Sequence, residues 1–243
     1  MITIGSCFAG IGGFELGLER GISNSKTVWQ IEQNKYCQGI LKKHWPKAIL
    51  HNDIREIDYD KIQTVDIICG GFPCQGVSCS GKGKGIEGDE RSGLWRQMHR
   101  LINHLQPRVA VMENVPALLW KGRGMHVVMS DLASIGYDAE WCTISARQFG
   151  APHLRKRVFI VAYPNSPRTQ IQTQRKQPSK QMSGGSSENR PTYWHKGTIK
   201  SGICRVDDGI SGRVDRIKAL GNAIVPQCSE YIGRCIWESG LLH

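Results

Sequence analysis

Cys74 sits in Gly70-Gly71-Phe72-Pro73-Cys74-Gln75, directly after the apolar run Val65 to Cys69. In an open α/β sheet the carboxyl end of a strand faces the ligand crevice, where a thiol can serve as a nucleophile. A free thiol ionises near ~8.5, so it needs nearby positive charge or a helix N-terminus to act as a thiolate. Taken alone, such a cysteine is more often an inert buried thiol. A second run, Val109 to Met112, leads into Glu113-Asn114-Val115, which offers a carboxyl for proton transfer. A third motif, Gly150-Ala151-Pro152-His153-Leu154-Arg155-Lys156-Arg157, alternates Arg155 and Arg157, so an extended chain turns both to one side.

Phe8-Ala9-Gly10-Ile11-Gly12-Gly13 lies where a first apolar run meets a first helical pattern. Glycines at such a junction let the backbone approach a nucleotide-like ligand closely. The motif is not the dinucleotide fingerprint, because counting from Gly10 the sixth position is Glu15, where glycine is needed. Glu32 closes the next run and is placed to accept from ribose hydroxyls. Asp53, after a further short run, is placed to accept from an adenine amino group. A nucleoside without a phosphate-specific loop suggests S-adenosylmethionine over NAD, although either acid singly is more often a loop cap.

These residues require strands to carry them. Ile2 to Phe8, Thr27 to Ile31, Val65 to Cys69, Val109 to Met112 and Val158 to Ala162 read as strands. Phe14, Leu16 and Leu18 mark a helix after the first, and Lys35 to Trp45 a second helix stopped by Pro46. The alternation implies βαβ units: an α/β fold with a mostly parallel sheet and helices on both faces.

The 243 residues are 40% hydrophobic and 22% charged, enough for a core and incompatible with wholesale disorder. No long apolar run predicts a membrane span, and no basic region precedes the first apolar residues, so neither membrane insertion nor a signal peptide is expected. Nine cysteines without a CxxC pair argue against a disulfide framework and a four-cysteine zinc site, so no metal is expected and a reducing, cytoplasmic setting is. The formal charge of +11 favours a polyanionic partner. Much of it lies between Asn165 and Lys200, which holds Arg168, Arg175, Lys176, Lys180, Arg190, Lys196 and Lys200 against one acid, Glu188. Pro164 to Pro191 is poor in apolar residues, and its two readings are a solvated linker and a DNA-contacting loop; Tyr193 and Trp194 are the aromatic cluster of the basic segment Asn165 to Lys200.

In order along the chain, FAGIGG, GGFPCQ, ENV, the Arg-x-Arg strand and Leu220-Gly221-Asn222-Ala223-Ile224-Val225-Pro226 resemble the DNA cytosine-5 methyltransferases. The likeness covers roughly residues 1–163 and 213–237 and implies a Rossmann-like S-adenosylmethionine-dependent methyltransferase fold. It divides the chain into a catalytic and cofactor-binding part (1–163), a short basic target-recognition region (164–212) and a C-terminal segment completing the catalytic domain (213–243). It implies S-adenosyl-L-methionine bound by Phe8, Ala9, Gly10, Ile11, Gly12, Gly13, Glu32, Asp53, Ile54, Pro73, Leu94 and Asn222. It implies Cys74 as the nucleophile, Glu113 as its acid–base partner, and Arg155 and Arg157 around the target base. Double-stranded DNA is the implied partner, with the enzyme acting as a monomer.

Two departures stand out: His153 replaces the family's usual glutamine, and the recognition region is far shorter than usual, as in phage or prophage members. The tRNA-acting relatives are an alternative, disfavoured by Phe72-Pro73-Cys74-Gln75, and so is a catalytically degenerate DNA-binding relative, disfavoured by the intact Cys74, Glu113, Arg155 and Arg157.

Overall fold

The computed structural model describes residues 1–73, 93–165 and 219–243. Strands β1 (Ile2–Cys7), β2 (Ser25–Ile31), β3 (Ile49–His51), β4 (Ile67–Gly70), β5 (Val109–Asn114), β6 (Tyr137–Ser145) and β7 (Lys156–Pro164) form one sheet. Their order is β3-β2-β1-β4-β5-β7-β6. Neighbours from β3 through β5 pair in parallel, whereas β7 runs antiparallel to both β5 and β6. The reversal of β7 brings its first residues to the same rim as the last residues of β5, with Asn114 opposite Val158.

Five helices flank the sheet among the described residues: α1 (Gly13–Gly21), α2 (Lys35–His44), α3 (Gly93–Leu105), α4 (Met125–Ser134) and α5 (Pro226–Glu238). On one face, Trp95, Met98, Leu101, Ile102 and Leu105 of α3 share a helical stripe that packs with Val128 and Leu132 of α4 over Ile68, Met112 and Ile160. On the other, Phe14, Leu18 and Ile22 join Cys228, Ile232 and Ile236 of α5 over Ile4, Ile67, Val111 and Phe159. The alternating α/β expectation therefore holds, while β6, α3 and α4 are additions to it.

The C-terminal segment reaches the sheet through an unusually close helix pair. A Cβ on Gly13 would stand 2.2 Å from the Ile224 carbonyl oxygen, and one on Gly17 would stand 2.3 Å from that of Pro226. One on Gly21 would stand 2.4 Å from the oxygen of Glu230. Glycine at every fourth position of α1 leaves one bare helix face, and α5 lies against it. Ser229 seals the contact by donating from Oγ to the Gly13 carbonyl at 3.1 Å.

Glu15 of α1 is fully buried, with Gln30 Nε2 donating to one carboxyl oxygen at 3.1 Å and the other oxygen without a partner among the described residues. Burial pushes its pKa from 4.5 up to about 7. Between those values the native state holds a proton that the unfolded chain has released, so this group lowers stability as pH rises through that window. The loss reaches about 3 kcal/mol above it. Glu15→Gln keeps an acceptor for Gln30 and removes the ionisation. In chemical denaturation the variant is expected to match the wild type near pH 4 and exceed its stability at pH 8. A difference independent of pH would contradict the assignment.

Candidate active site

From β1 the chain moves outward to β2 and β3, then returns to the opposite side of β1 with β4. Such a reversal leaves a crevice beyond the carboxyl ends of the central strands, where α/β sheets bind ligands. A cavity of about 430 Å³ opens there, within the range of small-molecule sites. Phe8 and Gly10 after β1, Glu32 and Asn34 after β2, and Cys37 of α2 line one side. Gly71 to Pro73 after β4, Glu113 to Val115, Arg157 at the start of β7 and Asn222 line the rest. A smaller cavity of about 50 Å³ shares Phe8, Gly10, Gly71, Glu113 and Asn222 with it and adds Ala9 and Gly13.

Glu32 organises the first side. Its Oε2 accepts the Gly10 N–H at 2.8 Å and its Oε1 accepts the Asn34 N–H at 2.8 Å, which joins the turns after β1 and β2. Gly10 has φ +57, and a Cβ there would meet nothing within 4 Å, so its missing side chain leaves open space at the cavity wall. Gly12 serves packing instead: a Cβ on it would stand 2.2 Å from the Trp45 ring. Asn34 caps α2 by accepting the Cys37 N–H at 3.1 Å.

Not every expected cofactor residue gathers here. Asp53 follows β3, but its carboxylate is engaged by Arg55 and by Gln33 Nε2, and it does not line the cavity. The Arg55 guanidinium holds its pKa below the usual carboxylate value. Ile54 is buried in the core and Leu94 packs against the α3 face of the sheet; neither lines the cavity, nor does Ile11. Pro73 and Asn222 do line it.

On the second side, Glu113 is the penultimate residue of β5 and 8% exposed. Arg157 Nε pairs with Glu113 Oε1 at 2.8 Å. The other oxygen, Oε2, lies 3.0 Å from where a Cβ on Gly71 would sit, so glycine at 71 keeps that oxygen uncrowded. Burial raises the Glu113 pKa above the usual carboxylate value, against the opposing pull of Arg157 and then Arg155. Arg155 is near enough to contribute, yet its guanidinium is turned elsewhere. It donates from Nη1 to the Gly221 carbonyl at 2.8 Å and from Nη2 to the Ala223 carbonyl at 2.6 Å. The expected alternation of the two arginines fails because Arg155 has φ +32, outside the extended region, and the strand begins only at Lys156. Cys74 and the basic stretch 166–200 lie outside the described residues.

Asn34 and Cys37 carry no role in the sequence reading, and Asn114 appears there only as part of the Glu113-Asn114-Val115 motif. Asn34 and Cys37 line the cavity, and Asn34 carried a legible signal as an N-cap type directly before a helical pattern. Asn114 Nδ2 donates to the Phe72 carbonyl at 3.2 Å while its Oδ1 accepts the Val115 N–H at 2.8 Å. It thereby ties the end of β5 to the Gly71–Pro73 segment after β4. Among the described residues no His, Cys, Asp and Glu cluster could hold a metal ion, and no helix is long and apolar enough to cross a membrane.

The chain is 35% identical to the type II methyltransferase M.Bsp6I of Bacillus sp. (strain RFL6), over 68% of this chain and 53% of that protein. It is 33% identical to the type II methyltransferase M.HhaI of Haemophilus parahaemolyticus, over 65% and 48%. The chain thus spans about half the length of the curated relatives it matches. A putative DNA modification methyltransferase encoded within an E. coli prophage shares the fold with a TM-score of 0.57 at 22% identity, over 69% of this chain and 48% of that one. Spodoptera frugiperda DNMT2 does so with a TM-score of 0.56 at 21% identity, over 69% and 51%. The sheet and its helices are the Rossmann-like fold of S-adenosylmethionine-dependent methyltransferases. Residues 2–201 match the model of the C-5 cytosine-specific DNA methylases, and the chain belongs to that family.

Proposed function

We propose that the chain binds S-adenosyl-L-methionine in the crevice between β1 and β4 and methylates C5 of a flipped-out cytosine in duplex DNA. The observation that carries this reading is that one cavity joins two sites. Glu32 and Gly10 stand on a nucleoside-binding side, the Glu113–Arg157 pair stands at the rim beside Pro73, and Asn222 lines the cavity with both.

The residues fit the cofactor. Gly10 opens a cradle that a Cβ would fill, and Glu32 presents an acceptor beside it. Asn34 and Asn222 add polar groups, and Phe8 adds an apolar surface. When bound, S-adenosylmethionine supplies a methyl group on a sulfonium. Glu32→Ala is expected to weaken its binding by roughly 1.5–3 kcal/mol, as for hydrogen bonds to a charged group. Titration calorimetry showing unchanged affinity would remove Glu32 from the cofactor side and leave the fold untouched.

The chain's own residues supply the rest. Cytosine C5 is too electron-poor to attack a methyl donor unaided, and addition of the Cys74 thiolate at C6 makes the ring an enamine with a nucleophilic C5. Glu113, whose pKa burial raises, donates from its protonated carboxyl to N3 as the C6–Sγ bond forms. Arg157 hydrogen-bonds O2, where negative charge gathers. After C5 is methylated its proton leaves to a base, the Sγ–C6 bond breaks with the electron pair returning to sulfur, and N3 gives its proton back to Glu113 as the ring regains its aromaticity. A stacked base cannot be reached in this way, so the cytosine must leave the duplex. Incubation with labelled cofactor and either duplex DNA or tRNA tests the substrate. Label in 5-methylcytosine of the DNA is expected, and label confined to tRNA would overturn the assignment.

A further inference from the structure

Arg155 has a positive φ beside the site. A non-glycine residue at φ +32 is strained, and such strain persists only where surrounding contacts hold it. Here the contacts are specific. Residues 219–222 form a helical turn, closed by the Ala223 N–H on the Ala219 carbonyl at 3.0 Å. The last carbonyls of a helical turn have no partner within it. Arg155 supplies one to Gly221 and another to Ala223, using two nitrogens of a single planar guanidinium. Between those carbonyls lies Asn222, which lines both cavities. Just after the turn the Ile224 carbonyl packs against the bare Cα of Gly13. The segment that presents Asn222 is therefore held at two points. Two residues beyond Arg155, Arg157 holds Glu113.

We propose that Arg155 is a positioning residue that clamps the Gly221–Ala223 turn and so fixes Asn222 in the cofactor crevice, rather than a residue that contacts the target base. The proposal rests on the cofactor reading given above. It makes the entry to β7 a mechanical link: residue 155 sets the cofactor side and residue 157 the acid side. Because coupling between sites is reciprocal, bound cofactor should in turn hold the clamped turn in place.

Affinity for S-adenosylmethionine and S-adenosylhomocysteine, measured by calorimetry on the full chain, tests this with Arg155→Ala, Asn222→Ala and the double variant. Arg155→Ala is expected to weaken both ligands about tenfold or more, the equivalent of one charge-assisted hydrogen bond. If Arg155 acts through Asn222, the double variant binds no more weakly than Asn222→Ala alone. Arg155→Lys, with one ammonium in place of the fork, should fall between wild type and Arg155→Ala. In steady-state methyl transfer the loss should appear in the KM for cofactor far more than in kcat, whereas Arg157→Ala should lose kcat. Equal cofactor affinity in wild type and Arg155→Ala, or additive losses in the double variant, would overturn the clamp and leave the functional proposal standing. A folded wild type that binds neither ligand would overturn both.

Discussion

Cys74→Ala is expected to reduce methyl transfer to DNA by roughly 10⁴-fold or more, the scale on which other enzymes lose activity when their nucleophile is removed. The reason is chemical. Without the Sγ–C6 bond, C5 never becomes electron-rich, and none of the described residues lining the cavity replaces a thiolate in that role; Cys37 lies on the cofactor side, in α2. Cofactor affinity should stay within about twofold, because Glu32, Gly10 and Asn222 come from other strand ends. Radiolabel transfer and calorimetry on the same preparation separate the two effects. A variant that keeps substantial transfer would contradict nucleophilic catalysis at this position.

Glu113→Gln should lower kcat by roughly 10²–10⁴, the range for loss of a general acid. The amide oxygen still accepts from Arg157, so the change removes the donated proton and little else. The wild-type rate also carries a pH signature. Burial raises the Glu113 pKa, and the protonated form is the donor, so the rate should fall as pH rises through that elevated value. The variant should lack this limb of the profile. A variant within about threefold of wild type, with the same profile, would show that another group protonates N3.

The central strands and glycine turns were legible because buried parallel strands read as unbroken apolar runs and strand ends carry the chemistry. The sheet edge was not. In β6 the stretch from Glu140 to Thr143 is exposed, so Tyr137–Ser145 lacks both an apolar run and a clean alternation, and pairing with β7 alone defines it. Helix α3 carries a readable stripe from Trp95 to Leu105, but its apolar positions are interrupted by Arg96, Gln97, His99 and Arg100, so no unbroken apolar run announces it. At the site, residue types indicated which strand ends matter, and local partners decided where each side chain points. Asp53 pairs with Arg55, two residues on, and is withdrawn from the cavity. Arg155 looked equivalent to Arg157 in a two-residue alternation, and only the arrival of the 219–223 turn, sixty-odd residues later, gives it different acceptors. Close approach of α5 to α1 was encoded by Gly13, Gly17 and Gly21, yet a glycine stripe has meaning only once its partner is known.

The central claim is that Cys74 attacks cytosine in DNA, and a trapping experiment tests it most directly. Duplex DNA with 5-fluorocytosine in place of every cytosine removes the need to know the target sequence. Fluorine at C5 cannot leave as a proton, so elimination of the thiol is blocked after methylation. In the presence of S-adenosylmethionine the account predicts a protein–DNA adduct that survives denaturation, with mass spectrometry placing the bond on a peptide at Cys74. No adduct from a folded, cofactor-bound chain, or an adduct mapped to a different cysteine, would contradict it.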